Sequence, residues 1–194
     1  MPNCFLSLLA FVFAFSASAQ DYTKLKIELE EMNRTDQQYR IILDSLMRKE
    51  KLQWEHPSIQ QLIPKALQQD SINQAALLRI LDQYGWLGTG QVGKLANETQ
   101  FLIIQHADSS ILARYFPLLV QSYEIGQTPA KYYALMLDRI LTDKNQKQVF
   151  GTQVQMDKQS GRFTPFPIAD EKNVDTRRKR AGLPTLAKQM QSYQ

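Results

Sequence analysis

Apolar side chains recur in seven-residue steps from Asp21 to about Gln53, two helical turns at a time. One row is Tyr22, Leu29, Asp36 and Leu43; the next is Leu25, Met32, Tyr39 and Leu46. That period places both rows on one face of a helix and cannot be met by a strand, whose faces alternate every two residues. Asp36 interrupts the apolar stripe. A carboxylate there needs a partner, and Arg40, four residues on, lies on the same face. Either the two close an intrahelical salt bridge, or both point into a polar site.

The rest of the chain repeats the helical pattern between glycine and proline punctuation. A helix is expected from Pro57 to Gln69 and, capped by Asp70 or Ser71, another from Ile72 to Tyr84, ended by Gly85. Leu95 to His106 has the length of a helix. Asp108 caps Ser109 to about Ile125, and Thr128–Pro129 opens a helix to Leu141. The last of these is apolar around most of its circumference, so it should lie centrally, carrying Asp138 and Arg139 inward. From about 147 to 168 the pattern changes to a β-hairpin turning near Ser160–Gly161, its second strand cut by Pro165 and Pro167. A basic helical tail follows from about 173 to 194. The expected fold class is mainly α: a single-domain helical bundle with one small C-terminal β-hairpin.

The chain opens MPNCFLSLLAFVFAFSASAQ, an apolar run ending in Ala17-Ser18-Ala19. The run is too short to span a bilayer and ends like a signal-peptidase site, so residues 1–19 are expected to be a cleaved secretory signal, and the mature domain, 20–194, to be periplasmic or secreted. No membrane span follows. Cys4, the only cysteine, precedes the apolar run and is misplaced for a lipid anchor; its removal leaves no thiol chemistry.

The formal charge of +4 is local. From Glu171 onward six basic residues face two acidic ones, and the stretch from Gln20 to Asp170 carries 17 of each sign. A neutral body with a basic tail is not the even basic face of a nucleic-acid binder.

Gly88, Gly90 and Gly93 spell GTGQVG, but a helix rather than a strand precedes them, so no dinucleotide cofactor is expected. An interhelical connection anchored by Trp86 is the simpler reading, with an anion on the following helix start as an intermediate one. No metal-ligand spacing and no GxSxG elbow occur. Asn33 and Asn97 begin N-x-T sequons inside helical segments. The densest chemical cluster is Gln105, His106 and Asp108. At a helix C-terminus the dipole and a nearby carboxylate would favour protonated His106, which would serve as general acid or base with Asp108 as its orienter, or as a structural cap. Gly151, Thr152 and Gln153 offer close backbone approach and hydrogen bonds. Arg177 or Arg178, turned inward, would form an anion clamp.

In order along the chain, Asp36-Gln37 with Arg40, Asp70 with Asn73, Gly85-Trp86, Gly93, QHAD at Gln105 to Asp108, Asp138-Arg139, FGTQ at Phe150 to Gln153, and Arg177-Arg178 before Gly182-Leu183 resemble an uncharacterised bacterial family, a domain of unknown function. Family members usually carry Tyr at position 150 and often Pro at 87. The resemblance implies one recurring polar pattern but no activity, cofactor or substrate. Two readings stand. In one, Asp36, Arg40, Trp86, Gln105, His106, Asp108, Asp138, Arg139, Gly151, Thr152, Gln153, Arg177 and Arg178 gather in a cleft for a polar or anionic small molecule or cell-envelope fragment. In the other they form closed ion pairs in a structural or interaction domain.

Overall fold

The computed structural model describes residues 22–157 and 161–193. The expected signal segment lies outside these residues. The order is α1 (Thr23–Asp44) with a wider π turn at Ser45–Lys49, α2 (Pro57–Tyr84), α3 (Thr89–Ile104), α4 (Ser109–Glu124), α5 (Ala130–Asp143), β1 (Val154–Met156), β2 (Phe163–Pro165), α6 (Val174–Arg180) and α7 (Leu186–Gln191). The chain is mainly α with one antiparallel hairpin, in which Gln155 faces Thr164.

Helix α1 packs on both α2 and α3, and α4 packs on α5. Leu29 and Met32 of the predicted stripe meet Leu77, Ile80 and Leu81 of α2 and Val92, Ala96 and Phe101 of α3, and the core continues through Leu112, Tyr115, Tyr132 and Met136. Phe101 stacks on Tyr132 with ring centroids 4.6 Å apart, joining α3 to α5. Among the described residues, no helix is long and apolar enough to cross a membrane.

Three local expectations change. The predicted break at Asp70–Ser71 does not occur, because neither side chain caps a helix there. Asp70 accepts from Arg40, and the Ser71 hydroxyl donates back to the Leu67 carbonyl, so α2 runs through. Thr128 does not cap α5 either; its buried hydroxyl pairs with Ser122 and accepts from the Asn97 amide. Val149 and Phe150 precede the hairpin instead of joining it, in a loop at 149–153 that wraps the end of α5. Asp108, by contrast, caps α4 as expected, accepting from the Ser110 and Ile111 amides. Asn97 is completely buried, so its sequon offers no glycan site in the folded chain.

Candidate functional site

The polar residues singled out along the sequence divide into two groups with different surroundings. The first is sealed. Asp138 on α5 has no exposed surface, and its carboxylate accepts from the Val149 amide at 2.7 Å, the Phe150 amide at 3.0 Å, the Thr152 amide at 2.9 Å and the Thr152 hydroxyl at 3.0 Å. One side chain therefore satisfies three backbone donors of the 149–153 loop, those of Val149, Phe150 and Thr152.

Arg178 closes the loop from the other side. Also fully buried, it donates to the carbonyls of Phe150 (2.7 Å), Gly151 (3.1 Å) and Pro184 (2.6 Å) and to Gln189 Oε1. Burial pushes its guanidinium below the ordinary arginine value, against the pull of Asp175 and Asp138. Arg177 spends its donors on the Val149, Ala169 and Asp170 carbonyls and on the Asp170 carboxylate. The predicted inward arginine exists, but backbone oxygens hold it where an anion was expected.

Gly151 belongs to the same structure. Its φ of +67° is left-handed, and a Cβ there would lie 2.8 Å from Ile168 Cδ1 and 3.1 Å from Leu186 Cδ1. The glycine admits packed side chains, not a ligand. Gly151→Ala should cost about 1–3 kcal/mol of stability from backbone strain and overpacking, read as a lower denaturant midpoint. A loss below about 0.5 kcal/mol would show the loop to be adjustable.

Trp86 also leaves the site. It is 7% exposed within the core, and its indole N–H has no partner among the described residues. The glycine loop beside it is closed to anions. Gln127 donates none of its room: its carbonyl accepts from the Thr89 amide and its side chain from the Gly90 amide, while Gln91 Oε1 takes the Gly88 amide. A Cβ on Gly88 would come within 2.5 Å of Gln127 Cβ, so the glycines make way for that side chain. The donors a pyrophosphate would need are occupied.

The second group is open. Gln105, His106, Arg139 and Gln153 rim a cavity of about 210 Å³ whose other walls are Phe101, Leu112, Leu135 and Met136. The turn after α3 presents Gln105 and His106; Arg139 reaches across from α5 and donates to the Ala107 carbonyl at 3.1 Å, holding that turn in place. The Arg139 Nε also lies 3.9 Å from the Asp143 carboxylate. Gln153 arrives on the loop that Asp138 pins. Alongside, the buried Asp36 carboxylate pairs with Arg40, which reaches Asp70 on α2 at 2.8 Å. Burial opposes the Arg40 charge, but Asp36 and Asp70 outweigh it and raise its pKa.

His106 feels this arrangement. Burial of the ring, then the Arg40 guanidinium, lower its pKa; Asp36 and Asp70 pull upward, and Arg139 adds to the lowering. The expected bias toward a protonated histidine is opposed here: partial desolvation first, then the neighbouring cations, lower its pKa against the helix terminus. Among the described residues, neither ring nitrogen has a hydrogen-bond partner. Asp108 is not its orienter. That exposed carboxylate is held below its usual range by the Ser110 hydroxyl and the Ile111 and Ser110 amides, all belonging to the helix cap. No three His, Cys, Asp or Glu side chains among the described residues are grouped to hold a metal ion.

Residues 23–193 match a family of unknown function, DUF6624. The chain belongs to that family. No curated protein and no solved structure matches it. In this DUF6624 chain two further participants stand beside the groove, one expected only as a helix cap and the other given no role. Asp70 and Asn73 lie one helical turn apart on α2. Asn73 accepts from Thr35 and Gln69 and donates to the Met32 carbonyl, locking α2 to α1 where Asp70 meets Arg40. Their i, i+3 spacing was the available signal. Gln148 had no such signal. It is completely buried, and its amide bonds the Gln153 and Phe166 carbonyls and the Gln153 amide, filling a place in the ladder that no strand occupies.

Proposed function

We propose that this DUF6624 chain is an exported binding protein whose groove at His106 takes a small polar, uncharged group, such as a sugar ring or short peptide fragment of the cell envelope. The observation that carries the reading is His106 itself: an unpartnered imidazole, kept neutral, on the rim of an apolar-floored cavity beside Gln105, Arg139 and Gln153. An apolar floor with a few convergent polar groups is the usual composition of a ligand site. At about 210 Å³ the cavity is smaller than the roughly 300–1,000 Å³ of drug-sized sites, so it suits one ring or one to two residues.

Charge decides against an anion. Arg40 and Arg139 face Asp36, Asp70 and Asp143, two cations against three carboxylates, and His106 contributes none when neutral. A free imidazole nitrogen accepts a hydroxyl or amide proton, and the glutamine amides satisfy the groups alongside. The same nitrogen is placed to act as general base should the bound group react.

Thermal shift with envelope saccharides and peptides tests the binding. A ligand at a hundred times its Kd stabilises by about 2.7 kcal/mol. His106→Ala should abolish that shift while leaving the melting temperature of the free protein within about 2 °C, because the ring makes no hydrogen bond and surface changes of this kind stay near 0.5 kcal/mol. The pH dependence has a definite sign. His106 has a folded pKa below its unfolded value of about 6.5, so its contribution to stability is complete above that pH and declines as the pH falls toward the folded value. Affinity should hold from pH 8 through 6.5 and fall only below it. Failure of every saccharide and peptide to shift the melting curve, or unchanged affinity in His106→Ala, refutes the reading.

A further inference from the structure

The +4 charge of the tail is not used by the His106 groove, and the structure shows where it gathers. All four basic residues of α6 are consecutive, Arg177 to Arg180. Arg178 is buried among carbonyls and Arg177 is spent on the 149–153 loop and Asp170. Arg180 is exposed and has no hydrogen bond or ion pair among the described residues, and Lys179 beside it is in the same condition.

Arg180 lines a cavity of about 200 Å³ together with Tyr123, Ala130, Tyr133, Phe150, Ala181 and the already paired Arg177. The rings form one connected group: Tyr123 and Tyr133 stack at 4.8 Å, and Phe150 meets Tyr133 edge-on at 6.3 Å. Asp138 and Arg178 hold the Phe150 backbone from opposite sides, so that wall is rigid. This cavity and the His106 groove share the loop but no lining residue.

We infer that the cavity between α4, α5 and α6 is a second binding site, for a planar ring carrying a single carboxylate. The ring enters the aromatic pocket and the carboxylate meets the free Arg180 guanidinium. The size fits: an apolar cavity of about 150 Å³ accepts benzene, leaving room here for a short substituent. The charge fits a monoanion. Of the two guanidiniums that line the cavity, Arg177 is paired with Asp170, so Arg180 is the unpaired lining cation, with Glu124 acting on Tyr133 from nearby. A guanidinium fork matches a carboxylate with two parallel hydrogen bonds, and the stacked rings supply the apolar contact. Such a group occurs in small aromatic acids and at the C-terminus of peptides ending in Phe, Tyr or Trp.

Calorimetric titration and ring NMR of the mature protein separate the cases, using 3-phenylpropionate, its amide, the peptide Gly-Gly-Phe and its C-terminal amide. The acid should bind about tenfold more tightly than the amide, with the Tyr123 and Tyr133 ring signals moving. Arg180→Gln, a change at an exposed and unpaired side chain, should bring the acid to the level of the amide without altering the melting temperature. Binding of the peptide acid as well as phenylpropionate supports a peptide C-terminus as the source; binding of phenylpropionate alone supports a small acid. Equal affinity of acid and amide, unmoved tyrosine signals, or a preference that survives Arg180→Gln overturns the inference. His106→Ala should leave this binding unchanged.

Discussion

Asp138→Asn is expected to lower the melting temperature by roughly 6–20 °C, the largest effect of any single change considered. The substitution keeps the volume but replaces one acceptor oxygen with a donor, facing the amides of Val149, Phe150 and Thr152 and the Thr152 hydroxyl. It also removes the negative charge that acts on buried Arg178. Breaking a buried charge arrangement by removing one member typically costs about 3–5 kcal/mol, and for a chain of this size each kcal/mol shifts the midpoint by about 2–4 °C. Thermal unfolding followed by circular dichroism measures it. A shift under about 3 °C would mean that the loop finds other acceptors and that Asp138 is not its anchor.

Arg178→Lys comes next, at about 2–4 kcal/mol. Lysine keeps the charge and most of the length. What it lacks is the planar fork that serves the Phe150, Gly151 and Pro184 carbonyls and Gln189 from one buried position. An ammonium at the end of a flexible stem reaches only some of them and leaves buried oxygens unpaired. The urea midpoint should fall with its slope unchanged, which marks lost stability and not altered compactness of either state. Because Asp138 and Arg178 hold the same loop and meet at Phe150, the double variant should lose less than the sum of the single losses. Strict additivity would show that the two act on the fold independently.

Both predictions concern residues that, read as sequence, resembled ligand-binding groups. The distinction matters for interpreting variants of the groove. Gln153 reaches the cavity only because Asp138 pins the loop before it, so changes at Asp138 or Arg178 will disturb binding through the fold. His106 and Arg180 do not carry that ambiguity, since neither side chain makes a hydrogen bond in the described structure. They are the positions where loss of binding reports on a ligand.

Much of the fold could be read in advance, for a physical reason. Helix periodicity, caps and breakers are local: Leu29 and Met32 face the core because 3.6 residues make a turn, and Asp108 caps α4 because its carboxylate reaches amides two and three residues away. The same local logic failed at Asp70 and Ser71, where a cap was expected. Arg40, thirty residues away in sequence, takes the Asp70 carboxylate and leaves α2 uninterrupted.

The candidate site divides along the same line. The residue types and their order identified His106, Arg139, Gln153, Arg40 and Asp36 as chemically able to serve a polar group. They equally identified Asp138, Thr152, Arg177 and Arg178, whose side chains turned out to be spent on holding the 149–153 loop and its neighbours. Nothing local separates the two sets. Adjacent Asp138 and Arg139 point about 100° apart on α5, one under the loop and one toward the QHAD turn, and only the path of residues 149–153 decides which is buried. The protonation of His106 followed a similar course. Its helix terminus favours charge, but burial of the ring by the tertiary packing, then Arg40 from α1 and Arg139 from α5, oppose it.

The letters alone thus determined a mainly helical chain, its hairpin, the Asp108 cap and the inventory of polar groups, since each depends on neighbours within a few residues. Tertiary structure decided which of those groups are consumed in holding the loop and which still face water. That choice rests on hydrogen-bond partners brought together by packing, and no spacing along the chain encodes it.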